Sequence, residues 1–331
     1  MKTDSAKLRT YKFGVNVSGL CLPFEKAGRS FSIDYDETNL WIGVPSPGWR
    51  ELPPENHATR WIQSTVGVDP IVAIKPIALL VIVHLDPADV GGVDGVDRAR
   101  KLQVRLQDYF RQTLGYFQAG DEIGSAIPLQ RLMDPFPIFE YEGDGLFSGT
   151  ARVVLPPSTG LKLSSSEWQA CIDWMHNGKE APIEFKLQVY ARDAVKKGDV
   201  MNAVIFSAIA MEAACVQLLE YRLRKHVPED GLRDLAKIPF TSYIGKKLGP
   251  WLFGDSTWQK YILPAKGRFM LLYQLRNNAV HTGRVDLDGI SVESLVSASR
   301  LLVEIVDLLV RSDVHRLRFS LDSLLRSARK G

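Results

Sequence analysis

This sequence predicts an α+β protein in two parts. A mixed α/β domain with antiparallel strands is expected over residues 1–190, and an all-α helical bundle over residues 191–331. Three observations lead there. The chain has 331 residues, long for one core and comfortable for two, because domains usually hold about 100–200 residues. Short runs rich in β-branched and aromatic residues fill positions 10 to 85. From Asp193 onward, apolar residues recur at helical spacing almost to the end.

Composition narrows the class further. Hydrophobic residues make up 45% and charged residues 24%, the balance of an ordinary globular chain with enough apolar surface to build cores. A formal net charge of +3 makes no general attractant for polyanions, so any nucleic-acid binding has to be local. Cys21, Cys171 and Cys215 lie far apart, form no C-x-x-C pair and are odd in number, which fits a reducing cytoplasm. The residues from Met1 to Lys7 lack the apolar stretch of a signal peptide. The run Ala203–Leu219 is apolar but carries Glu212 and Gln217 and is short for a bilayer, so it reads as a buried helix and no membrane is expected.

In the N-terminal part, Tyr11–Val17, Phe31–Tyr35 and Leu40–Val44 read as strands, the last two joined as a hairpin through Asp36-Glu37-Thr38-Asn39. Pro45, Pro47, Pro53 and Pro54 exclude ladder pairing and make a loop. Ile71–Leu85 is almost wholly apolar and predicts a strand buried on both faces after an irregular entry. The loop Gly91-Gly92-Val93-Asp94-Gly95 lacks both the alternating oxygen ligands of a calcium loop and the Lys-Ser or Lys-Thr of a phosphate loop. A helix follows with Leu102, Leu106, Tyr109, Phe110, Thr113 and Phe117 on one face and basic residues on the other. A strand is expected at Gly149–Leu155. Ser164 and Glu167 then form a capping box for a helix that Gly178 ends, and Ile183–Val189 alternates as a strand would. His57, His84 and His176 fall on separate elements without ligand spacing, so no metal and no cofactor is expected.

In the C-terminal part, Asp199 is placed to cap a long helix reaching about Lys225, whose body is apolar on nearly every side. Such a helix belongs inside a bundle or a subunit interface. Pro239, Gly249-Pro250 and Gly254 mark turns, and Pro264 bends or starts the helix that leads into Arg276. Ser291 caps a further helix running through Leu295, Leu302, Val306 and Leu309, which completes a bundle of four to five helices. From Arg311 to the end, six basic residues stand against Asp313 and Asp322, a charge run that is either a solvated terminus or a local surface for a phosphate backbone.

The polar end of the helix at Trp258–Thr282 is the candidate site. Cations near a helix C-terminus suit the macrodipole, and Gly283 sits where a left-handed residue would stop the helix. The run Arg276-Asn277-x-x-x-His281 also resembles the R-N-x-x-x-H motif of the HEPN superfamily, helical domains found in prokaryotic RNases, toxins and phage-defence proteins. Upstream, Ala191-Arg192-Asp193-Ala194, Lys197-Gly198-Asp199, Ala203-Val204-Ile205 and Ala208 to Glu212 resemble the opening helices and G-D turn of those domains. The resemblance spans the last 140 residues or so. It implies a HEPN-like helical domain that pairs as a homodimer through its helices, with RNA as substrate. A separate regulatory or antitoxin partner is compatible with it. The Gly-Ser loop and paired aspartates of the nucleotidyltransferases that often accompany HEPN domains are absent from this sequence.

Metal-free RNA cleavage by a ribose 2′-hydroxyl needs a proton acceptor, a proton donor for the departing 5′-oxygen, and positive charge for the phosphorane. His281 is the residue to exchange protons, Arg276 the fork for phosphate oxygens, and Asn277 the group that orients phosphate or histidine. Five residues of regular helix turn a side chain through about 500°, which leaves Arg276 and His281 about 140° apart, so they converge only if the helix loosens near Asn278. Two functional classes stay open beside a small-molecule-binding protein. One is an RNase effector in a defence or toxin system. The other is a non-catalytic dimerisation or nucleotide-binding module that presents the N-terminal part as a sensor.

Overall fold

The computed structural model describes residues 9–16, 20–26, 28–44, 62–66, 73–76, 78–85, 95–117, 139–141, 161–162, 164–228, 238–311 and 321–329. The chain is α+β and packs as two units, the first ending at Glu180 and the second beginning at Ala181. This division falls ahead of the 190/191 boundary expected from sequence. The expected strand Gly149–Leu155, the proline loop from Pro45 to Pro54, His57 and most of the Gly91–Gly95 loop lie outside the described residues.

The first unit is built on a five-stranded antiparallel sheet. Its strands are β1 (Arg9–Asn16), β3 (Ser30–Tyr35), β4 (Thr38–Gly43), β7 (Ala78–Leu85) and β8 (Phe139–Tyr141), in the order β3-β4-β7-β1-β8. β1 pairs with β7 over its whole length, from Arg9 opposite Leu85 to Asn16 opposite Ala78. A second sheet has the order β5-β6-β2-β9, formed by β2 (Leu20–Pro23), β5 (Ile62–Val66), β6 (Ala73–Pro76) and β9 (Leu161–Lys162), with β9 parallel to β2. The hairpin predicted at Phe31–Val44 forms, and its two-residue turn holds Asp36 and Glu37 both at positive φ, 52° and 59°. That geometry matches the right-handed twist of the strands it joins.

The segment read as one strand over Ile71–Leu85 is two, β6 and β7, in different sheets. Burial along β7 alternates rather than covering both faces: Leu79, Val81, Val83 and Leu85 are buried while His84 is exposed. An apolar run without polar alternation does not distinguish these cases, because an antiparallel strand can carry apolar residues on its open face. Helix α1 (Gly95–Phe117) packs on β1 through the predicted apolar stripe, and Gln103 Nε2 donates to the Gly14 carbonyl at 3.0 Å. Helix α2 (Ser165–His176) starts with the expected capping box of Ser164 and Glu167 and ends before Gly178 at φ 62°. Its His176 Nδ1 sits 2.9 Å from the Ser32 carbonyl. Tyr109 stacks on Tyr35 at 5.0 Å and donates to the Lys179 carbonyl at 2.8 Å. Cys171 is buried and unpaired, and burial pushes its thiol up to about 12, far from nucleophilic chemistry at neutral pH.

The second unit is helical. The alternating segment Ile183–Val189, read as a strand, is the first half of helix α3 (Ile183–Lys196). Its apolar residues satisfy both periods, and the helical one prevails: Phe185 and Val189, four apart, are buried, while Ile183 is 53% exposed. Gly198 at φ 71° ends this helix, and Asp199 caps the next by accepting from the Asn202 amide at 3.1 Å. That next helix, α4 (Val200–Leu223), packs against α3, α8 (Leu263–Thr282) and α9 (Val292–Val310). It is also the one described helix long and apolar enough to cross a membrane by length and composition, and 56% of its most apolar window is buried by the rest of the chain. Three short helices, α5 (Phe240–Tyr243), α6 (Gly249–Phe253) and α7 (Asp255–Thr257), lead into a π-helical turn, Trp258–Ile262, from which α8 continues. The unit closes with α9, capped by Ser291, and α10 (Leu321–Arg329).

An ion cluster ties the bundle together. Glu184 of α3 and Asp307 of α9 have fully buried carboxylates, and both meet Arg311 Nη1, at 2.9 and 3.0 Å. Arg311 Nη2 donates to Gln217 Oε1 of α4 at 2.5 Å, and Gln217 returns a bond to Glu184 at 3.0 Å. Burial raises the Glu184 pKa, with Arg311 opposing the rise. Arg311→Ala takes the shared cation from two buried carboxylates. We expect a loss of about 3 kcal/mol or more in urea denaturation, whereas removing the exposed Lys260–Asp322 pair should leave the midpoint almost unchanged.

Candidate functional site at the end of helix α8

Helix α8 carries Arg276, Asn277 and His281 in its last two turns. It is regular through Thr282 and stops where Gly283 turns left-handed at φ 67°, the Gly283 amide donating to the Ala279 carbonyl at 2.9 Å. A residue with a Cβ would be strained in that conformation, which explains glycine at this position. The helix does not loosen at Asn278, whose carbonyl accepts from Thr282 Oγ1 at 2.7 Å. Arg276 and His281 therefore stay on different faces, and one copy of the chain does not bring them together.

Arg276 points to the seam between α8 and α4. Its Nη2 lies 3.7 Å from Glu212 Oε2, and each of these side chains is 29% exposed. Its Nη1 donates to Asn277 Oδ1 at 2.9 Å, so the two motif neighbours act as one polar unit. The pairing leaves capacity over, since Arg276 Nε and Glu212 Oε1 are both buried atoms with no hydrogen-bond partner. An arginine has five N–H donors, and since Nε is closed to solvent an oxyanion would have to meet this one at its Nη groups. His281 is exposed on the last turn beside Val280, itself 58% exposed. Among the described residues no group of three or more metal-ligating side chains forms a cluster.

Glu212 is the site residue that sequence reasoning did not single out. The signal was present as a lone carboxylate within the apolar run Ala203–Leu219, because an acid on such a helix needs a cation or an opening to water. Spacing does not identify the partner, which comes from a segment 64 positions later. Tyr273, one turn before Arg276, stacks on Phe240 of α5 at 5.5 Å, so α5 flanks the same stretch of α8.

Burial raises the Glu212 pKa above its ordinary 4.5, and Arg276 partly counters it. The folded chain therefore holds this proton more tightly than the unfolded chain. The stability Glu212 contributes is fully present below 4.5 and is lost as pH rises through the raised folded value. Glu212→Gln removes the titration. Denaturant titrations from about pH 4 to about pH 7 should show wild-type stability falling relative to Glu212→Gln, and a relative gain would contradict the assignment.

Comparison with known proteins adds no relative: no protein-family model matches the chain, and no curated protein or solved structure matches it.

Proposed function

We propose that the C-terminal part is a HEPN-type domain acting as a metal-independent endoribonuclease, an effector of the kind used in prokaryotic defence or toxin systems. The observation that carries the proposal is Arg276-Asn277-x-x-x-His281 on the last two turns of α8, with a partly exposed arginine side chain and an exposed imidazole. The helix–glycine–aspartate–helix entry from α3 into α4 supports it, since these are the other parts on which the resemblance rests.

In this reading Arg276 binds the phosphate oxygens, Asn277 holds the guanidinium plane, and His281 moves the proton. Because Arg276 and His281 diverge on a regular helix, the working site is composite, with Arg276 of one copy facing His281 of another. Val280 beside His281 would then be covered by the partner copy. A homodimer through the C-terminal helices is thus part of the proposal, and so are a cytoplasmic setting and an outside trigger or antitoxin.

One observation favours the second reading, a non-catalytic dimerisation or nucleotide-binding module that presents the N-terminal unit as a sensor. Glu212 already supplies Arg276 with a countercharge, which is how a structural arginine is held.

A mixed pool of single-stranded and structured RNA in EDTA separates the two. Wild type should cleave and leave cyclic-phosphate ends. Arg276→Ala and His281→Ala, matched for thermal stability, should each cleave about 100-fold more slowly or worse. Sedimentation at micromolar concentration should give a dimer. A monomer that does not cut, or equal cutting by both variants, would overturn the nuclease reading.

A further inference from the structure

The end of the helical unit where α4 terminates carries a second polar surface that the motif does not use. On the last turn of α4, Tyr221 is 47% exposed, and Arg224 and Lys225, three and four residues on in the turn just past its end, are exposed; bonds from the Arg224 amide to the Glu220 carbonyl at 2.8 Å and from Val227 to Leu223 at 3.0 Å carry the helical winding into that turn. Side chains at these spacings share a helix face. The chain between α5 and α6 adds Lys246 and Lys247, both exposed, and Trp251 at 52% exposure. Bonds from the Gly249 amide to the Gly245 carbonyl at 2.8 Å and from Leu252 to Leu248 at 2.9 Å continue the helical turn, so Lys247 and Trp251 stand one turn apart. Arg222 Nε donates to the Leu252 carbonyl at 3.2 Å, which pins the two segments together, and α4 packs on both α5 and α6.

Two features set this surface apart. Tyr221 and Trp251 are the two exposed large aromatics among the described residues. Among those residues, no carboxylate forms an ion pair with Arg224, Lys225, Lys246 or Lys247. Nearby acids are few: Glu220 is half-buried and contributes to the field at Tyr243, and Asp255 is exposed beyond α6. The sequence 229–237, outside the described residues, adds three acids and two bases. Leaving a tryptophan in water forgoes the burial that such a side chain usually obtains, and cations around it favour a ligand with both negative charge and flat apolar faces.

We propose that Trp251 and Tyr221, with Lys246, Lys247, Arg224 and Lys225, form a docking surface for single-stranded RNA. Phosphates meet the cations and unpaired bases stack on the aromatic rings. An acidic peptide would satisfy the charges but not the rings, which is why a nucleic acid is preferred. Helix α5 links the two places through the core rather than over the surface: its buried Phe240 stacks on Tyr273 of α8, and α4 packs on α5. Glu212 and Tyr221 are nine residues apart on α4, about 14 Å along its axis and on opposite sides of it. A strand held at both places would thus wrap the short helices rather than follow one groove. The choice of RNA over DNA rests on the nuclease reading above; the binding itself does not.

The test uses the full chain carrying His281→Ala, in EDTA, with a fluorescein-labelled single-stranded RNA 20-mer of mixed sequence followed by anisotropy. Trp251→Ala should weaken binding about five-fold or more, and Trp251→Phe should recover most of it. Lys246→Ala with Lys247→Ala should lower the slope of log affinity against log salt by about 1.4, at about 0.7 per phosphate contact. Polyglutamate should not displace the RNA. Unchanged affinity in these variants, or a Trp251→Phe variant as weak as Trp251→Ala with polyglutamate displacing the RNA, would overturn the proposal. Wild type that binds RNA through Trp251 but never cuts it would uphold this surface and reject the nuclease.

Discussion

The architecture of the helical unit follows from one constraint, the apolarity of α4. A helix with alanine, valine, isoleucine and methionine on almost every side has little surface to give to water, so other helices must cover most of its length. Helices α3, α8 and α9 do so. The few polar groups on α4 then set where those neighbours sit. Gln217 needs partners and finds them in the Arg311 cluster with α3 and α9. Glu212 needs a cation and meets Arg276 of α8. Each insertion into the apolar surface is thus a registration mark for a different neighbour, because a buried polar group left unpaired is costly.

Much of this was legible in the sequence because it depends on near neighbours. The Asp36-Glu37 hairpin, the Ser164–Glu167 capping box, the Asp199 and Ser291 caps and the Gly283 stop are local chemistry, and all formed as expected. The errors arose where periods were ambiguous. Ile183–Val189 alternates over seven residues, too few to separate a strand from the first turns of a helix. Ile71–Leu85 hid a change of sheet behind a continuous apolar run. The pairing of Glu212 with Arg276 was out of reach for another reason, since it depends on how α8 lies across α4.

The same contrast governs the candidate site. Sequence supplied the residue types and their order, and the angular separation of Arg276 and His281 could be worked out from helix geometry alone. Whether the helix relaxes was a separate question, and an uninterrupted α8 answers it within one chain. Within one copy of the chain Arg276 is turned inward to a countercharge and His281 is turned to solvent.

The regular ending of α8 also bears on how His281 is held. The last turn of a helix has the fewest hydrogen bonds behind it and opens at the lowest free energy. His281 lies one residue before the final helical position, with the Thr282 hydroxyl and the Gly283 amide as the local ties on that turn. Its orientation is thus the least determined of the three motif positions, and a surface that comes to rest on Val280 would fix it.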